Sequence, residues 1–221
     1  MNLLGELLLL AYDDEGRKIH DGTRLDYGLG GALLLELTLS GRIDVVGKVV
    51  VVIDPSPTGD PLVDDALARI RDDSRARKPG YWVGKFAKGT RQRVLDHLVS
   101  REILRVEHGT VLWIFPKTTY PAVHGAEPPA ETDARQRMRT AVTTNGAVDA
   151  RTAALCSLVS ATDMNRKVFA DLDRRQVTAR LKEISEGDWA SAAVKRAIQD
   201  VQTAVMAGAI AATTAAATGS G

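Results

Sequence analysis

Apolar positions along this chain change spacing from helical to strand-like and back, and each change marks an element. Leu3 to Ala11 is apolar apart from Gly5 and Glu6 and predicts a short, mostly buried helix. Residues 12–26 are polar and rich in turn formers, with Asp13-Asp14-Glu15-Gly16 as the turn. A helix from about Asp26 to Leu39 ends at Ser40-Gly41. Ile43–Val46, Gly47 and Lys48–Ile53 read as two strands around a glycine turn. Asp54 to Gly59 breaks structure. Asp60 then caps a helix with Pro61 at its first position, and Leu62, Val63, Ala66, Leu67 and Ile70 give it an apolar stripe. Lys78-Pro79-Gly80 ends that helix, and Tyr81, Trp82 and Phe86 form an aromatic knot.

A helix over about Arg91–Ser100 presents Val94, Leu95, Leu98 and Val99. A second hairpin, Arg105 to Phe115, is expected with its turn at Glu107-His108-Gly109-Thr110. Pro116, Pro121, Pro128 and Pro129 mark a connector. The remainder reads as helices at about 132–143, 149–161, 164–170, 173–186 and 188–212; Val194, Ile198, Val201 and Val205 form a stripe in the last. Thr213–Gly221 reads as a low-complexity, frayed tail. The expectation is one domain over residues 1–212, mainly α with short β-hairpins.

Composition narrows the class. Among 221 residues, 44% are hydrophobic and 26% charged, a globular balance, and aromatics reach only 5%, so Leu, Val, Ile and Ala must build the core. One cysteine, Cys156, allows no internal disulfide and no cysteine-cluster metal site; its apolar neighbours place the thiol in the core. The Leu3–Ala11 run is too short for a membrane span and has no basic leader, so a cytoplasmic location is expected. Arg outnumbers Lys 20 to 9, the usage of a GC-rich bacterial genome.

Charge changes the picture more. The net charge of +1 hides a segregation: residues 1–68 carry −7, and residues 69–105 carry +7 from eleven basic and four acidic side chains. A concentrated basic segment in a neutral chain points to a local anionic partner. The plain alternative is that these cations form ion pairs with the acidic N-terminal third.

Candidate chemistry is sparse. The chain has no H-E-x-x-H, Walker loop, G-x-S-x-G or C-x-x-C, so neither an enzyme nor a cofactor is expected. Gly28-Leu29-Gly30-Gly31 is followed by Leu33 where a dinucleotide fingerprint needs its third glycine, and reads instead as a close helix–helix approach. His20, His97, His108 and His124 lack ligand spacing. Helix, tight turn and hairpin follow each other twice, at 27–53 and 89–115. That is the outline of a winged helix, so nucleic-acid binding stands as the alternative function. A protein-interaction module without lipid binding is a third reading.

Three segments resemble the Golgi phosphoprotein family. Pro57-Thr58-Gly59-Asp60-Pro61-Leu62-Val63-Asp64-Asp65-Ala66-Leu67 is similar to its P-T-G-D-x-L-L-D-E-A-L signature. Gly31 to Ile43 is similar to its G-x-x-L-x-E-L-x-L-R-G-R-[IL] motif, and Arg151 to Phe169 resembles its R-x-x-x-L-x-x-L-x-x-A-x-D block. The resemblance runs from about Leu3 to Ala209. It implies a single helical domain with a central helix surrounded by others, and a non-enzymatic adaptor lying peripherally on membranes. Eukaryotic members of that family bind phosphatidylinositol 4-phosphate, so the partner it implies is anionic lipid, phosphoinositide included. The family's two headgroup arginines fall on Lys88 and Arg91, inside the basic segment. Its pocket tryptophan falls near Asp21 and a further arginine on Gly30, with Trp82 and Arg93 nearby in sequence as substitutes.

The second hairpin carries a separate expectation. Val111, Leu112, Trp113, Ile114 and Phe115 are apolar without a break, so a strand there has two faces to cover. With a polar turn at its tip, the hairpin is expected to use Val111, Trp113 and Phe115 in a protein contact, forming a weak homo-oligomer rather than entering lipid.

Overall fold

The computed structural model describes residues 1–111, 114–186 and 192–218. Along the chain, α1 (Leu3–Leu9) and α2 (Gly22–Leu39) precede a first antiparallel hairpin, β1 (Ile43–Val46) and β2 (Val49–Val52). Next come α3 (Pro61–Arg71), α4 (Pro79–Ala87) and α5 (Thr90–Ser100), then a second hairpin, β3 (Glu107–Val111) and β4 (Phe115–Thr119). The last helices are α6 (Pro129–Thr143), α7 (Ala150–Ala161), α8 (Asn165–Val168), α9 (Arg174–Glu186) and α10 (Ala192–Thr218).

The architecture is mainly α, as the sequence implies, and α2 is its axis. Asp21 starts α2 by accepting a hydrogen bond from the Arg24 N–H. Residues 28 to 35 of α2 are buried without a break, the mark of a helix enclosed on all sides. It packs against α1, α4, α7 and α10. Gly30 sets the approach of α4: a methyl there would run into the Val83 carbonyl and lie 3.0 Å from the Ala87 amide nitrogen. The glycine run is therefore a helix–helix contact.

Buried ion pairs staple the bundle. Glu6 of α1, 4% exposed, accepts from Arg137 Nη2 of α6 at 3.0 Å and lies 3.8 Å from Arg151 Nε of α7. Glu36 of α2 accepts from the Leu3 N–H at 2.5 Å and from Arg151 Nη2 at 2.7 Å. Burial pushes both carboxyls above the ordinary range, against the pull of these arginines. The recognisable motifs belong to this framework. Asp60 caps α3 through the Leu62 and Val63 N–H groups, Asp64 accepts from the Thr58 hydroxyl and amide, and Arg42 pairs with Asp54.

α2 starts at Gly22, four residues before the expected Asp26, and α6 at Pro129 rather than 132; four other elements differ more from expectation. α3 stops at Arg71, and Pro79 begins α4 rather than merely ending a helix, because a first-turn proline forfeits no hydrogen bond. The second hairpin is displaced: Glu107–Thr110 is strand, paired with Pro116–Thr119, and the Val111–Phe115 backbone pair closes the ladder. Glu107 to Thr110 are all exposed, so the hairpin projects from the body and needs no apolar alternation. α10 continues through Thr218, beyond the expected break at Thr213, since alanine-rich sequence favours helix. Residues 187–191, where a start at 188 was expected, lie outside the described residues.

Glu131, in the first turn of α6, is 7% exposed and bound by Arg135 at 2.7 Å. Burial pushes its carboxyl up to about 7, with Arg135 opposing. An acid held above its unfolded value stabilises the fold when protonated, so its contribution is lost as pH rises from about 4.5 through 7. Urea denaturation at pH 5 and pH 8 should show a drop of order 3 kcal/mol from this group. Glu131→Gln should remove most of that pH dependence.

Candidate functional site: a cationic helix face and corner

Six of the eleven basic side chains in residues 69–105 hold a carboxylate. Arg69 and Arg93 share Asp65, Arg91 pairs with Asp26, and Arg71, Arg77 and Arg105 pair with Asp72, Asp73 and Glu107. Three of these six thus neutralise acids of the first 68 residues, as the plain reading of the charge segregation had it. Among the described residues, Arg75, Lys78, Lys85, Lys88 and Arg101 have no ion-pair partner, and all five are exposed.

Three of those five line one face at α4. Lys78, Tyr81, Lys85 and Lys88 follow one another at spacings of three, four and three, which stacks them along the outer side of the helix. Val83 and Phe86 face inward and are buried. Tyr81 is 41% exposed, with the Arg77 guanidinium 4.4 Å and Lys85 Nζ 5.6 Å from its ring centre. The face is therefore cationic with an aromatic set in it.

Beyond Lys88 the chain turns at Gly89, which adopts φ +77°, and α5 carries Arg91 to the first turn of α2. Arg91 Nε lies 3.3 Å from Asp26. Lys18 reaches the same place from the 12–20 loop, positioned by the Tyr12–Lys18 backbone bridge. A methyl at Gly22 would collide with both Lys18 Nζ and the Arg91 guanidinium, so the two cationic heads sit side by side over the start of α2. Burial pushes the Asp26 carboxyl up, against Arg91 and Lys18. Tyr12 and Tyr120 meet edge to face beside this corner at 6.4 Å, and Gln92 donates to the Tyr120 hydroxyl. Tyr120 also ends the projecting hairpin. Two cations at a helix N-terminus, with aromatic rings alongside, can receive an anionic group.

The structure separates the site residues read from sequence. Lys88 follows the end of α4 and Arg91 lies in the first turn of α5, with the Gly89 turn between them. The Trp82 indole is 1% exposed and stacked on Phe86 at 5.4 Å, with Lys85 Nζ 4.8 Å from its ring centre, so it backs the cationic face from the core while Tyr81 is the accessible ring. Arg93 points to Asp65 of α3, because positions 91 and 93 face opposite sides of a helix. Asp21 is occupied as the α2 cap, and Gly30 has no room for any side chain. Val111 and Phe115 pair with each other at the head of the hairpin ladder; Trp113 lies outside the described residues. Sequence reading missed Lys18, which is distant in the chain and carries no local signal, and Tyr81, whose spacing is informative only once α4 is a helix. For the winged-helix outline, α2 is the enclosed axis, and Arg91 and Arg93 of α5 are both held in ion pairs.

Among the described residues, no helix is long and apolar enough to cross a membrane, and no group of three His, Cys, Asp or Glu side chains is placed to hold a metal ion. Fold and site together define a mainly α domain with a central helix, a cationic outer helix and a projecting hairpin. The sequence model of the family described as Golgi phosphoprotein 3 (GPP34) matches residues 3–201, and the chain belongs to that family. It is similar to vacuolar protein sorting-associated protein 74 of Eremothecium gossypii, at 28% identity over 146 residues. That match covers 55% of this chain and 44% of the relative, so it spans less than half of the relative's length.

Proposed function

We propose that the chain is a non-enzymatic peripheral adaptor that binds anionic membrane lipid through the α4 face, Lys78, Tyr81, Lys85 and Lys88, and receives a phosphate-bearing headgroup, phosphoinositide included, at the Lys18–Arg91 corner. The observation that carries this reading is the run of unpaired, exposed cations along one helix face, continuing into two cations that converge on the start of α2. Each lysine near an anionic surface contributes ~1 kcal/mol, so the face supports reversible, salt-sensitive association. Tyr81 suits the boundary between headgroups and acyl chains, where an amphipathic ring is favoured.

The projecting hairpin joins this reading with its sense reversed from the sequence expectation. Its tip is the apolar end of the ladder, and Ile114 there is 75% exposed. Shallow insertion of the tip avoids the cost that a polar turn would impose.

Co-sedimentation with neutral and anionic vesicles tests the proposal. Lys85→Gln with Lys88→Gln should weaken binding to anionic vesicles about tenfold or more while lowering the melting temperature only slightly, because neither lysine has an ion-pair partner and Lys85 loses only its cation–π contacts with Tyr81 and Trp82. Lys18→Gln should reduce the preference for phosphoinositide over other anionic lipid. Ile114→Ser should weaken vesicle binding without changing the molecular mass measured by light scattering. A folded double variant that binds like wild type would reject the α4 face, and a fall in mass for Ile114→Ser would assign the hairpin to self-association.

A further inference from the structure

A cavity of about 210 Å3 lies between α7, α9 and α10, and a second of about 400 Å3 opens beside it where α8 leads into α9. Asn165 and Thr178 line both, so the two chambers adjoin at these residues. Neither belongs to the α4 face or the corner. The Arg151–Phe169 block ends here, with Asp163 and Phe169 lining the outer chamber.

Two buried polar atoms in these walls lack partners. Ser157, 7% exposed, lines the inner chamber with an Oγ that makes no hydrogen bond. Helical Thr38 and Thr162, by contrast, donate back to carbonyls one turn earlier. Asn165 Oδ1 is likewise buried without a partner. Polar atoms in this condition fit a site whose ligand completes them.

The charge around the chambers is one-sided. Arg166 and Arg174 line the outer chamber and Lys182 the inner one, and among the described residues none of the three has an ion-pair partner. Asp163 is the one carboxylate among the described lining residues of the two chambers, and it faces Arg24 of α2 at 3.4 Å. Arginine guanidinium groups favour an oxyanion that can accept from them bidentately. Ser157, Ser160 and Gln202, with Asn165 and Thr178, offer hydrogen-bonding groups amid an otherwise apolar lining that includes Leu181, Ile184 and Ile198, which suits a small body carrying both hydroxyls and an apolar ring face. An inner volume below the roughly 300–1,000 Å3 of drug-sized sites keeps that body small.

We propose that this cleft binds the phosphate monoester of a small polyol, with the phosphate on Arg166 and Arg174 and the hydroxyl-bearing body against Ser157 and Asn165. The ester can arrive as a soluble metabolite or as a lipid headgroup, and the experiment separates the two.

Titration calorimetry on the full chain should detect binding of myo-inositol 1-phosphate more tightly than inorganic phosphate. Arg166→Gln with Arg174→Gln should weaken the ester at least tenfold. Ser157→Ala should weaken the ester several-fold, leave inorganic phosphate unchanged and preserve the melting temperature, since its hydroxyl has no partner to lose. Lys18→Gln, at the corner, and Lys85→Gln with Lys88→Gln should each leave ester binding in place, which separates the cleft from the corner and from the α4 face. With vesicles carrying the same headgroup, weaker binding by the arginine double variant assigns the lipid as the source, and unchanged binding assigns the soluble ester. Absence of ester binding at millimolar concentration, equal affinity for inorganic phosphate, or an arginine double variant that binds like wild type would overturn the proposal.

Discussion

Gly30→Ala should destabilise the fold by about 3 kcal/mol, the upper range for forcing extra volume into a packed interior. The atom it would meet is the Val83 carbonyl oxygen, part of the α4 backbone, and no side-chain rotation can relieve the clash. The gain of roughly 1 kcal/mol that alanine normally brings to a helix is too small to offset this. Gly109→Ala provides the control, because nothing lies near the added methyl and the backbone there is unstrained. Thermal denaturation of the two variants should show a large loss for the first and none for the second. The same geometry forbids an arginine at position 30: restoring the family's pocket residue there would push α4 away from α2 before it could meet a headgroup.

Arg137→Ala should cost about 3 kcal/mol, the lower end for breaking a buried ion pair by removing one partner. Arg137 donates to Glu6, Asp133 and Thr152, and without it Glu6 keeps only the more distant Arg151. The sign with pH follows from Glu6. Its carboxyl already sits above the ordinary range through burial, and losing Arg137 raises it further. A carboxyl raised in the folded state stabilises while it stays protonated, so the variant should be closest to wild type at acidic pH. Its deficit should widen as pH rises through the folded value. Urea denaturation at pH 4.5 and pH 7.5 measures this; a deficit independent of pH would place the loss in packing rather than in the charge of Glu6.

The motifs that made the family recognisable prove to be structural couplings. Glu36 of the first motif is held by Arg151 of the third, and Arg42 of the first reaches Asp54 and the Pro57 carbonyl at the head of the second. Such residues are identifiable from sequence because their partners, a capped helix end or a buried counter-ion, tolerate few other side chains. The cationic face needs only exposed positive charge, which many lysine placements supply, so it leaves a weaker trace.

The sequence by itself determined the helical class, most helix boundaries, the first hairpin and the location of the basic segment. Periodicity, caps and charge are local properties, carried by residues within a turn or two of each other. Only the tertiary structure decided which cations are free. Arg91 and Arg93 look alike in the chain, yet one faces Asp26 beside Lys18 and the other faces Asp65. The structure also decided that Trp82 is core while Tyr81 is surface, and that Glu107–Thr110 is strand rather than the turn of the second hairpin, with Ile114 exposed beyond its ladder. Each of these depends on which residues distant in the chain are brought close, and on which faces the packing leaves to water. Local spacing contains neither.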